Sequence, residues 1–168
     1  NPVIFTATGT VPTITLTWTG AVSTNFAVAG NWSPAVAPSA TSDIVIVAAT
    51  NTPVLGSNLT VKSLTVNPGG TFDIGFNTLN VGGSVLINGT LNGGGAIQIT
   101  GAGQVRGSLA QLVILAPVTA AGNVTTSAGN NLNISAGGDF SPNGHSITVG
   151  GSISTSNGGF LTMTNSAD

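Results

Sequence analysis

The chain has 168 residues, enough for one domain of ordinary size, and only 4% of them are charged, against a usual share of about 25%. The ionic groups are Lys62, Arg106, Asp43, Asp73, Asp139 and Asp168, with His145 as one further titratable side chain. Two cations are too few for nucleic-acid or anionic-membrane binding, the absence of Cys excludes disulfides and zinc–thiolate sites, and no apolar run reaches the roughly 20 residues of a membrane-spanning helix.

Thr, Asn, Ser and Gly together supply 82 of the 168 residues, and Val, Ile and Leu supply most of the bulky apolar side chains. β-Branched residues interleaved with Gly and Asn favour short strands joined by tight turns, so the expectation is an all-β protein. The chain opens at Asn1, without an initiator Met, which suggests a processed product or an excised segment.

Residues 1–11 contain Val3-Ile4-Phe5-Thr6-Ala7-Thr8, a strand pattern with no obvious partner. Residues 12–42 read as an N-terminal cap. Within them Ile14, Leu16 and Trp18 alternate with Thr, and the aromatic side chains Trp18, Phe26 and Trp32 are suited to cover an open apolar end. Asp43-Ile44-Val45-Ile46-Val47 then reads as the first strand of a repeating region, 43–168.

Within that region, segment 64–85 (LTVNPGGTFDIGFNTLNVGGSV) aligns without a gap to 132–153 (LNISAGGDFSPNGHSITVGGSI), at an offset of 68 residues and with eight of 22 positions identical. The unit divides into turns of about 15–19 residues (78–95, 96–111, 112–130, 131–145). Short period-2 strands recur in them: Leu79-Asn80-Val81, Ile97-Gln98-Ile99, Leu112–Leu115, Leu132-Asn133-Ile134 and Ile147-Thr148-Val149. Strands so short bury a core only when coils stack. The expected fold is a right-handed parallel β-solenoid (β-helix) of roughly seven coils, about 30–40 Å long, with the hand taken from the rule for parallel crossovers. A β-sandwich is the competing arrangement, and it explains the fixed offset less well. Five polar side chains that sit between inward apolar residues, Thr60, Thr65, Asn80, Asn133 and Thr148, are expected to form one outward ladder.

Residues 17–34 (TWTGAVSTNFAVAGNWSP), followed by SDIVIVAATNTPVL (42–55) and LTVKSLTVNPGGTF, resemble the opening of large secreted bacterial surface proteins with β-helical repeats. The run 122–154 is similar to their repeat, which closes on a Leu-Thr-Val-Gly-Gly type turn. What the resemblance implies is an extracellular or cell-surface, adhesin-like protein. It carries no catalytic residues to transfer. Such proteins usually run to many hundreds of residues, so 168 implies a fragment or a small assembling subunit.

The residues themselves offer little chemistry. Polysaccharide lyases and hydrolases on this architecture need a carboxylate pair or an Asp cluster beside a base. Asp73 and Asp139 are not equivalent in the repeat, and each reads as a turn residue, as does His145. No catalytic, metal or cofactor residue is assigned. Asn-x-Ser/Thr occurs at Asn31, Asn58, Asn88, Asn123 and Asn133, about as often as so Asn- and Thr-rich a chain would produce by chance. The expected function is structural: a stiff secreted shaft or fibre subunit that associates end to end through Val3, Ile4 and Phe5 at one end and Phe160, Leu161 and Met163 at the other. The alternative is a module or stalk that binds a surface glycan or ice.

Overall fold

The computed structural model describes residues 12–135 and 137–163, which form about six turns of a parallel β-solenoid. The strand pattern proposed for Val3, Ile4 and Phe5 lies outside the described residues. Each full coil carries strands on three faces. The first face holds β1 (Ile14–Trp18), β3 (Ser42–Ile46), β5 (Ser63–Val66), β8 (Val85–Ile87), the first half of β11 (Gly103–Leu109), the first half of β13 (Pro117–Thr126), β15 (Asp139–Ser141) and β18 (Phe160–Leu161). On the second are β6 (Thr71–Asp73) and β9 (Thr90–Asn92), then the second halves of β11 and β13 with β16 (Ile147–Thr148). Six parallel strands make the third: β4 (Leu59–Val61), β7 (Thr78–Val81), β10 (Ala96–Ile99), β12 (Gln111–Ile114), β14 (Leu132–Ile134) and β17 (Ile153–Thr155). The stack is about 30 Å long at ~4.8 Å per coil.

The period-2 pattern decides which side chains go inward. On the third face Leu79, Ile97, Leu112 and Leu132 lie in register across β7, β10, β12 and β14, and all four are fully buried. On the first face Leu16, Ile44, Leu64, Val85 and Val105 stack in the same way. Phe72 and Phe140 fill the interior from the second and first faces. One apolar column results, continuous from the N-terminal aromatics to the last coils.

Four expectations change against this architecture. The stack begins at Ile14–Trp18, not at Asp43: Leu16 pairs in parallel with Ile44, so the alternating strand read as cap is a rung of the sheet. The 68-residue repeat joins residues on different faces. Leu64 lies on the first face and Leu132 on the third; Phe72 is on the second and Phe140 on the first. The repeated text encodes strand, corner and strand, which any face accepts because each presents the same inward alternation. For the same reason Ile147–Thr148 does not follow Leu132-Asn133-Ile134 on the third face; it pairs with the second half of β13, and the third face continues with Ile153–Thr155. Coil length is also less regular than the 15–19 residues expected. On the third face it runs from 15 residues, Ile97 to Leu112, to 21, Leu132 to Ile153, so about six turns replace seven.

Where the chain bends from first to second face within β11, the ladder to β13 slips between Val105 and Gly107. Gly107 has φ +99, and a Cβ there would lie 2.0 Å from the Ile87 carbonyl oxygen. Gly107→Ala is expected to destabilise the fold by about 2 kcal/mol or more, from left-handed strain plus backbone overlap. Gly56→Ala, at a corner where an added Cβ meets nothing within 4 Å, is expected to change stability by less than about 0.5 kcal/mol. Thermal unfolding of the two variants beside the parent chain measures both; equal melting points would refute the close packing assigned to this corner.

Candidate functional site

The N-terminal end is closed by an aromatic cluster. Trp18, Phe26 and Trp32 are buried. The Trp32 ring meets Trp18 and Phe26 edge to face at centroid distances of 5.0 and 4.8 Å, and Phe26 stacks on Phe72 at 4.9 Å. Such pairs add to simple area burial. Both indole N–H groups find acceptors: Trp18 Nε1 donates to the Asn51 carbonyl (2.7 Å) and Trp32 Nε1 to the Phe26 carbonyl (2.8 Å). β2 (Trp32–Ser33) runs antiparallel to β1. It is two residues long and followed by Pro34, which has no N–H to donate, so the edge of the first face is blunted.

One polar side chain organises this cap. Asn31 is fully buried. Its Oδ1 accepts from the backbone N–H of Val22 (2.9 Å) and Ser23 (2.8 Å), and its Nδ2 donates to Ser23 Oγ (3.0 Å) and the Asn25 carbonyl (2.8 Å). Its own carbonyl accepts from the N–H groups of Thr19 and Gly20. In the sequence this residue stood out only as one of five Asn-x-Ser/Thr sites. A buried Asn with every hydrogen-bonding atom engaged is a packing element, whatever the surrounding tripeptide.

The five residues expected to form one ladder fall on three faces. Thr60, Asn80 and Asn133 share the third, where the outward column reads Thr60, Asn80, Gln98, Val113, Asn133, Ser154. Val113 interrupts its polarity, and Ser154 Oγ donates to Asn133 Oδ1 at 2.7 Å. Thr65 belongs to the first face, between Val45 and Leu86, and Thr148 to the second, beside Thr125. A single face was expected because alternation separates inward from outward but does not number the faces.

The acidic residues are dispersed. Asp73 Oδ1 accepts from the Gly75 N–H at 2.7 Å, the turn role expected of it. Asp139 is a strand residue rather than a turn residue, in β15, and accepts from Thr162 Oγ1 on the next coil. Asp43 accepts from Ser63 Oγ (2.6 Å) and lies 3.8 Å from Lys62 Nζ. His145 follows Asn143 and Gly144, both with positive φ, and its N–H donates to the Pro142 carbonyl. Among the described residues no three His, Asp or Glu side chains converge as a metal site, and no helix is long and apolar enough to cross a membrane.

Large apolar side chains are exposed at both ends of the stack, Val22 and Val36 in the cap segment and a group of three at the other end. Ile153, on the inward column of the third face, is 48% exposed; Phe160 is 64% and Met163 54% exposed. Ile153 and Met163, with Leu161, Ile147, Pro142 and His145, border a recess of about 350 Å³. Phe76 is separate from both ends. It occupies the corner before β7, is 95% exposed, and its ring edge sits over Gly94, 3.2 Å from where a Cβ would be. Sequence reasoning missed it, because one Phe in a Gly-Asn corner carries no periodic signal.

A family model described as a domain of unknown function (DUF8693) matches residues 17–112. No curated protein and no solved structure matches the chain.

Asn31→Ala is expected to cost about 2 kcal/mol or more, since it removes four hydrogen bonds of a buried side chain and leaves two part-buried N–H groups and a carbonyl without that partner. Asn88→Ala, at an exposed Asn-x-Thr site, is expected to stay within about 0.5 kcal/mol. Denaturant titration of both variants distinguishes a buried organising residue from an ordinary surface asparagine.

Proposed function

We propose a structural role for this chain, which belongs to the DUF8693 family of domains of unknown function: it is a non-catalytic, stiff β-solenoid shaft of an exported or cell-surface protein, extended by end-to-end association. The observation that carries the reading is the contrast between the two ends of one apolar column. Aromatic side chains and an antiparallel strand cover one end. At the other, Ile153 on β17 and Leu161 on β18 continue the inward column, Ile153, Phe160 and Met163 are exposed, and the outer edges of β17 and β18 pair with no further strand among the described residues. Unpaired parallel edges beside an apolar column are a template for further coils. The Thr- and Asn-rich, charge-poor surface and the resemblance of 17–34 and 122–154 to secreted adhesin-like proteins support the location.

Phe76 favours a second reading, a glycan-binding stalk. An aromatic ring fully presented on a corner surrounded by Asn and Gly offers a stacking surface for the apolar face of a sugar.

Negative-stain electron microscopy over a dilution series tests the first reading. Filaments that form at high concentration and are lost in Phe160→Asp support it; isolated rods at every concentration contradict it. For the second, a glycan array probed with the monomer is expected to show binding that Phe76→Ala abolishes, and an array without signal refutes it.

A further inference from the structure

At the corner between the second and third faces the early coils form one axial strip. Asn25, Val54, Asp73 and Asn92 follow one another across parallel pairs, one residue per coil, and each opens that corner in its own coil. The coil of Val54 turns through Leu55, Gly56 and Ser57 into β4, and the coil of Asp73 through Gly75 and Phe76 into β7. These two corners are locked together: the Leu55 N–H donates to the Asp73 carbonyl, and Asn77 Nδ2 donates to the Leu55 carbonyl at 2.6 Å. Between the Leu55 corner and the segment 25–27 of the first coil is a cavity of about 250 Å³, lined by Phe26, Ala27, Leu55, Ser57 and Leu59. After Phe76 the next coil crosses the corner as Gly93-Gly94-Gly95. Packing keeps that stretch bare, since Cβ atoms at Gly93 and Gly95 would lie 2.5 and 2.1 Å from the Gly75 and Asn77 carbonyl oxygens. The Phe76 ring, with its edge over Gly94, is therefore left uncovered.

We propose that this strip binds a neutral glycan chain of about three sugars lying along the solenoid axis, with one sugar in the cavity and another stacked on Phe76. The proposal rests on the stalk reading and extends it from one ring to a row of subsites. Spacing is the first argument. Cavity and ring are about two coils apart, ~10 Å at ~4.8 Å per coil. A β-1,4-linked hexose ribbon advances by nearly one coil spacing per sugar, so a third sugar fits between them, over the Leu55 corner. Composition is the second. The cavity is apolar through Phe26, Leu55 and Leu59, while Asn25 Nδ2 and Ser57 Oγ make no hydrogen bond among the described residues. An apolar wall with a few free polar groups is the make-up of a small-molecule site. Charge is the third. Asp73 Oδ1 is taken by the Gly75 N–H, but its second oxygen is engaged by no described group, and the exposed Asn92 side chain is likewise free. Both can bond sugar hydroxyls. The two cations lie elsewhere, Lys62 beside Asp43 and Arg106 within β11. One carboxylate with no cation selects a polyol and repels carboxylated or sulfated sugars.

The test is an NMR titration of the full chain with glucose, cellobiose, cellotriose and cellotetraose, and with trigalacturonate as the acidic counterpart. Affinity is expected to rise at least about tenfold from glucose to cellotriose as the cavity fills, then to level off, with shifts centred on Asn25, Ser57 and Phe76. Trigalacturonate is expected not to bind. Phe76→Ala is expected to weaken cellotriose about tenfold. Ala27→Trp and Ser57→Trp each fill the cavity from an exposed position on opposite walls; each is expected to reduce cellotriose to the affinity of cellobiose, with thermal unfolding showing that the fold is intact. Equal affinity for glucose and cellotriose, or cellotriose binding that neither tryptophan variant alters, overturns the row of subsites while leaving the single ring of Phe76 in place. Trigalacturonate binding as tight as cellotriose overturns the neutral class. No shift with any oligomer overturns the proposal outright, and the glycan array then decides the Phe76 reading separately.

Discussion

Everything in this molecule depends on parallel strands of about three residues stacking in register. A strand such as Leu59–Val61 or Leu132–Ile134 buries one or two apolar side chains, far too few to hold it in place alone. Stacked, each strand satisfies its backbone through the coils above and below, and each inward side chain packs on its counterpart one coil away. The unit of stability is therefore the column rather than the coil. This explains how a chain with two cations, no disulfide and mostly Thr, Asn, Ser and Gly outside its core can still fold.

A column needs an end, and its N-terminal end is built by different means from its interior. Stacked aliphatic residues give way to Trp18, Phe26 and Trp32, whose rings pack edge to face on one another. The segment between β1 and β2 has only the bridge at Asn25 to satisfy its amides through a strand. Asn31 takes that role, with one side chain replacing four strand-to-strand hydrogen bonds. Asn51 adds a second clamp: its carbonyl accepts from Trp18 and its Nδ2 donates to the Gly20 carbonyl.

The inward residues and the strand positions of the third face were legible in the sequence, because Leu79, Ile97, Leu112 and Leu132 each head a short alternating run between Gly or Asn corners. The aromatic closure was legible from Trp18, Phe26 and Trp32 in a chain otherwise poor in rings. Three things were not. Alternation separates inside from outside but says nothing of which of three faces a strand occupies, so Thr65 and Thr148 were grouped with Thr60. Strand β1 shares its alternation with the cap around it, and only its pairing to Ile44 makes it a rung. The roles of Asn31 and Phe76 are set by loop geometry: among the described residues Asn31 is the buried Asn and Phe76 the fully displayed Phe, and no local pattern marks either.

The displacement of the internal repeat from one face to another has a consequence for how such chains change. Their modules are interchangeable by rotation: a strand-and-corner segment copied elsewhere folds wherever it lands. Each insertion or deletion of one such segment also turns everything downstream by about a third of a revolution around the axis, without disturbing the core. Surface chemistry on this scaffold thus has an angular address as well as an axial one. Two chains with the same list of segments in different phase would present different faces to the same partner.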